Sequence, residues 1–197
     1  MRGNRWGPEG PPPEAYSRVT NPERFRPLHD AALELLGRLE NTYDVERLDG
    51  YGLDQELEVG DLARPSVKLV PRSPEAAPIV LVFTAFPGLG ARFGRWHVEH
   101  FPSCGCDACA ETADDQAERL TRMVGDVTAG RFREAIRLPL LGEGWQESAF
   151  WSSEGRSSSR GAISRSRARQ MLGASGQASF EWKPWPRELR ADSRGLT

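Results

Sequence analysis

The run P-I-V-L-V-F-T-A-F, Pro78 to Phe86, constrains the fold more than any other stretch of the chain. It is almost continuously apolar and rich in β-branched residues, so it suits a central strand covered on both faces. Such a strand needs neighbours. On one side S-V-K-L-V (66–70) alternates apolar with polar residues. On the other, P-G-L-G (87–90) reads as a turn and Ala91–Phe101 as the third strand. Links this short predict an antiparallel meander. V-E-R-L-D-G, from Val45, adds a short strand running into turns at Gly50 and Gly52. The acidic residues around it (Asp49, Asp54, Glu56, Glu58, Asp61) match no Ca²⁺-loop spacing and read as a solvated loop.

Two amphipathic segments supply helices to cover the sheet. Asn21 as N-cap and Pro22 at the first helical position precede Phe25, Leu28, Ala32, Leu35, Leu36, Leu39 and Tyr43 on one face, predicting a helix over 22–43. Pro27 predicts an irregular start. His29, at the edge of that stripe, reads as a structural histidine. Ala113, Ala117, Leu120, Val124 and Val127 predict a second helix over 108–128, capped by Asp107 and stopped by Gly130. Residues 131–141 and 144–152 read as paired strands, 152–162 as a Ser/Arg/Gly loop, and 164–172 as a short helix capped by Ser164. A last strand is predicted near 178–183. The expected fold class is α+β: a mostly antiparallel sheet, two long helices packed on one face, and a short third helix near the C-terminus. The expected organisation is a disordered lead-in over 1–14, a single domain over 15–183 and a tail over 184–197.

Charge excludes some partners. The net charge is -2 and the pI is about 6.0, so no whole-protein field draws nucleic acid or a membrane surface. Lys68 and Lys183 are the only lysines, and this Arg-for-Lys bias reflects a GC-rich genome more than chemistry. The arginines of 152–170 therefore read as a solvated loop, and Trp145, Trp151, Trp182 and Trp185 as core and rim. No apolar run is long enough to span a bilayer and the N-terminus carries no hydrophobic signal segment, which predicts a cytoplasmic protein with reduced thiols.

Chemistry concentrates in R-W-H-V-E-H-F-P-S-C-G-C-D-A-C-A-E, Arg95 to Glu111. It holds all three cysteines, Cys104, Cys106 and Cys109, and two of the three histidines, His97 and His100. Cys106-x-x-Cys109 has the spacing of a metal knuckle, Cys104 can join through a turn at Gly105, and His100 or His97 can supply a fourth ligand. A Cys3His shell suits structural zinc. The two histidines have opposite strand parity, so a regular strand turns only one of them toward the loop. The rival reading is thiol-redox chemistry by C-x-x-C at a helix start, opposed by Asp107 and Glu111, whose charge raises a thiol pKa. A third reading is a packed turn without an ion. No nucleophile elbow, Walker loop or dinucleotide loop is present.

F-R-P-L-H-D-A-A-L-E-L-L, then F-G-R-W-H-x-E-x-F-P-x-C-G-C-D-A-C, then W-K-P-W-P, resembles a family of actinobacterial proteins known only as a domain of unknown function, over Tyr16 to Arg187. The resemblance implies a single cytoplasmic domain and transfers no catalytic residue. The expectation is a non-enzymatic domain, clamped by structural zinc, that binds another protein or a small-molecule ligand. The alternative is a thiol-redox or metal-dependent enzyme using the same cluster. A sheet with one uncovered face can also pair as a homodimer.

Overall fold

In the computed structural model, which describes residues 6–53, 57, 60–152 and 155–188, the apolar run becomes the middle strand of a five-stranded antiparallel meander. Its strands are β1 (Val45–Gly50), β2 (Ser66–Pro71), β3 (Ile79–Phe83), β4 (Leu89–Phe93) and β5 (His97–Phe101). Every residue of β3 is buried, as its unbroken apolar pattern requires.

The sequence predicts one strand over 91–101; the structure breaks it in two. Gly94 has φ +66°, open to glycine and strained for other residues. A Cβ there would collide with the Glu134 carboxylate and lie 2.9 Å from Trp182 Nε1. That carboxylate holds the turn. Arg95 N–H donates to Glu134 Oε1 at 2.7 Å, and Trp96 N–H donates to Oε2 at 2.9 Å. Local periodicity carries no sign of a partner so distant in the chain.

The single expected sheet is in fact two. The second is antiparallel, in the order β8-β7-β6-β9. Its members are β6 (Phe132–Arg137), β7 (Gly144–Ser152), β8 (Gly155–Ile163) and β9 (Gln177–Glu181). β8 overturns the expected Ser/Arg/Gly loop. Its side chains lie at the surface, so it shows no alternation, and backbone pairing to β7 from Gly144–Ile163 to Ser152–Gly155 makes it a strand. Serines and arginines suit an exposed edge strand, because they discourage pairing with another chain.

The helices are shorter than expected. Pro22–Phe25 forms a 3-10 turn, and α1 runs from Pro27 to Glu40. α2 runs from Ala113 to Thr128, and Thr112 is its N-cap, accepting from Asp115 N–H at 3.2 Å. Asp107 is not the cap. α3 (Arg165–Leu172) is capped by Ser164, whose Oγ accepts from Arg167 N–H, as the sequence predicts. α1 and α2 pack on one another. One core unites Leu28 and Leu36 of α1, Leu120 and Val124 of α2, Leu81 and Phe93 of the first sheet, and Phe132 and Phe150 of the second. His29 is buried, with Nε2 2.9 Å from Gly88 O and its ring edge-on to Phe83. Within the expected tail, Trp185 is buried, donates Nε1–H to Ala77 O at 2.8 Å and meets Tyr43 edge-on. Among the described residues no helix is long and apolar enough to cross a membrane.

Burial pushes the Glu134 carboxyl above its ordinary value, against the pull of its N–H donors from Arg95, Trp96 and Trp182. Glu134→Gln turns an amide N–H₂ toward one of those donors. It is expected to lower unfolding free energy by about 1–3 kcal/mol, read as a shift in urea midpoint at constant slope. Gly94→Ala, strained and blocked at once, is expected to lower the midpoint at least as far.

Candidate metal centre

The segment 102–111 joins β5 to α2 and takes its shape from long-range contacts. Gly105 packs against the tip of the Phe86 ring, whose Cζ would stand 2.7 Å from a Cβ placed there. Arg24 donates from one guanidinium nitrogen to Gly105 O at 2.8 Å and Cys106 O at 3.2 Å. Asp107 is almost fully buried. Its carboxylate accepts from Thr20 N–H (3.0 Å), Thr20 Oγ1–H (3.1 Å) and Arg18 Nε–H (3.0 Å). The Thr20 backbone N–H, with help from Arg18, holds this carboxyl below the usual range. In return Asp107 N–H donates to Arg18 O at 2.8 Å, and Ala108 N–H donates to Ala15 O at 3.1 Å. Ala15, Cys106 and Ala108 are buried together, with Trp6 and Cys104 against them. Residues 15–24 thus form a strap across the cysteine loop.

The strap gathers the thiols. One ligand atom from each of Cys104, Cys106 and Cys109 lies within 4.8 Å of the other two. Cys106 Sγ and Cys109 Sγ are 3.4 Å apart. Cys104 is half-buried, Cys106 buried and Cys109 exposed. All three are free. Hydrogen bonding from Cys104, then from Cys109, pulls the Cys106 thiol below its ordinary value. The same shared bonds, with Cys106 foremost, push Cys109 up to about 12. A tetrahedral ion with metal–sulfur bonds of about 2.3 Å needs sulfurs about 3.8 Å apart, so small rotations bring this set to metal-binding geometry. Three cysteines this close can hold a metal ion.

The structure brings together three of the five residues that the sequence nominated. Among the described residues, no histidine or carboxylate joins the three thiols as a ligand group; the Glu111 carboxylate near them accepts from Cys104 N–H at 3.3 Å. His97 is buried, with Nδ1 2.8 Å from Ser148 Oγ and Nε2 3.1 Å from Glu99 Oε1. His100 is exposed on β5, and its carbonyl accepts from Arg119. Strand parity explains why the two rings point apart. The helix also starts later than the redox reading expects: Cys106 and Cys109 precede Ala113, so the first turn of α2 does not hold them and its dipole lends them no activation. Sequence reasoning missed the strap, since Arg18, Thr20 and Arg24 carry no local signature. It also missed Ser148 and Glu99, which flank His97.

Two antiparallel sheets with a three-thiol loop between strand and helix define an α+β protein with a candidate metal corner. The chain belongs to the family of unknown function DUF6226, whose model matches residues 2–189. Neither a curated protein nor a solved structure matches the chain.

Asp107→Ala is expected to loosen the strap. Amide exchange at Thr20 and Ala108 and the reaction rate of Cys106 with a thiol reagent should each rise about ten-fold or more. Glu99 gives a pH signature. Burial raises its carboxyl, but the adjoining His97 imidazole and the charge of Arg119 outweigh this and hold it below the ordinary 4.5. A carboxylate lowered by folding adds stability above its unfolded value, and that stability is lost as pH falls through the folded value. The stability gap between the native chain and Glu99→Gln is therefore expected to hold above about pH 5 and to narrow below it, followed by thermal unfolding at stepped pH.

Proposed function

We propose that Cys104, Cys106 and Cys109 bind a structural zinc ion that locks the β5–α2 corner to the N-terminal strap, in a non-enzymatic domain that binds another protein or a small ligand. The observation that carries this reading is the convergence of three free thiols on a loop whose backbone is already fixed by Arg24 and Asp107. Preorganised thiolates favour a soft or borderline ion, and zinc imposes no geometry beyond the tetrahedron. Water or a partner's side chain would complete the shell. A reducing compartment such as the cytoplasm would keep these thiols available to the ion. Leu140 and Leu141, 93% and 89% exposed between β6 and β7, offer apolar surface to a protein partner.

The 3.4 Å approach of Cys106 to Cys109 favours a second reading, a thiol-redox pair. Metal content of tag-free protein, measured with a count of reactive thiols, separates the two. Zinc at one equivalent, masked thiols, release by Cys106→Ser and a chelator-induced fall in melting temperature of several degrees are expected for the clamp. Metal-free protein whose Cys106–Cys109 pair oxidises reversibly would sink the clamp and establish the redox pair.

A further inference from the structure

A second polar centre lies away from the thiols. Between β5, α2 and the β7–β8 hairpin opens a cleft of about 480 Å³. Its floor is the His97 imidazole, 6% exposed and enclosed by the rings of Phe93, Phe132 and Phe150 at 5.0–6.1 Å. Glu99 Oε1 stands 3.1 Å from Nε2 but off the N–H axis, so that buried nitrogen has an ionic neighbour and no proper hydrogen bond. On the other side a chain of hydroxyls leads outward. His97 Nδ1 meets Ser148 Oγ at 2.8 Å, and Ser148 Oγ meets Ser159 Oγ at 2.7 Å. Ser148 is buried, and Ser159 lies on the exposed edge strand.

The direction of this chain follows from the charge on the imidazole. In neutral His97 the proton belongs on Nε2, facing the Glu99 carboxylate. Nδ1 then accepts from Ser148, Ser148 accepts from Ser159, and Ser159 turns its lone pairs to the cleft. In protonated His97, Nδ1–H donates to Ser148, Ser148 donates to Ser159, and Ser159 turns its O–H to the cleft. The cleft therefore offers a hydrogen-bond donor at this point only when His97 is charged.

The walls favour an anion. Arg119 is engaged by Glu99, the His100 carbonyl and Ser103, and Asp126 is paired with Arg131. Arg122, on α2, lines the cleft and has no hydrogen-bond or ion-pair partner among the described residues. The charged groups around His97 are Glu99 on its own strand, Arg119, Arg122 and Asp126 on α2, Glu134 on β6 and Arg156 on β8, and, lining an adjoining pocket that shares His97, Glu99 and Ser159, Arg92 of β4, Arg95 of the β4–β5 turn, Arg160 of β8 and Arg167 of α3. Met123 and Phe150 give the cleft an apolar side.

We propose that this cleft binds a small molecule carrying an oxyanion, a carboxylate or a phosphate ester, with uptake of one proton by His97. The oxyanion sits between the Arg122 guanidinium and the Ser159 hydroxyl, and the apolar part lies along Met123 and Phe150. Binding and protonation are linked because each favours the outward-donating chain. This site is independent of the thiol corner and of any metal held there.

Benzoate and phenyl sulfate test the proposal, since neither probe titrates across the ordinary histidine range near pH 6.5. The full-length protein is titrated with each, and the His97 ring resonances are followed by NMR at stepped pH. Saturable millimolar binding is expected, tightening as pH falls by up to about ten-fold per unit, the most that uptake of one proton allows. Arg122→Gln is expected to weaken binding about ten-fold, while Arg72→Gln, a surface control, leaves it unchanged. Ser148→Ala is expected to keep the fold and flatten the pH dependence. Preference for benzoate assigns a carboxylate ligand, and preference for phenyl sulfate a phosphate ester. Absence of saturable binding by both probes, or pH-independent binding to the native chain, would overturn the proposal.

Discussion

A carboxylate buried between two sheets carries a desolvation cost of several kcal/mol unless donors meet it. Glu134 is met by three. Two are backbone N–H groups of the β4–β5 turn, and the third is the indole of Trp182, just past β9. One side chain of the second sheet thereby fixes the corner of the first. Gly94 is the counterpart of this arrangement, because only a residue without Cβ leaves room for the carboxylate at a positive φ. The register of β5 follows from that turn, and so does the placement of His97 against Ser148 on β7.

Asp107 repeats the device at the other end of β5. It too is a buried carboxylate satisfied mainly by chain far away in sequence, in this case Thr20 and Arg18. The two carboxylates give β5 and its flanking loops a fixed frame on both sides. Chemistry-bearing residues occupy that frame: thiols beyond the C-terminal end of the strand, and an imidazole with a carboxylate neighbour on the strand itself. Preorganisation of this kind lowers the ordering cost of binding an ion or ligand.

How much was legible differs by element. The helical stripes, the Ser164 cap, the buried strand at Ile79–Phe83 and the β7 boundaries at Gly144 and Ser152 were readable, because burial on one face leaves a period in the sequence. The Gly94 break, the strand β8 and the start of α2 were not. Gly94 bends around a remote carboxylate, β8 is held by backbone bonds that carry no side-chain pattern, and Asp107 left its expected cap position for the strap. The nearness of the three thiols was legible from spacing alone, whereas the separation of His97 and His100 from them was not.

The sequence by itself determined the α+β class, most of the meander and the residue types able to hold a metal, since composition and short-range periodicity encode burial and local turns. Only the tertiary structure decided that there are two sheets, that the thiols stand without a histidine, and that His97 belongs to a polar cleft with Ser148, Ser159 and Glu99. The physical reason is that buried polar groups take their partners from wherever the chain brings a donor, and most of these pairs join residues dozens of positions apart.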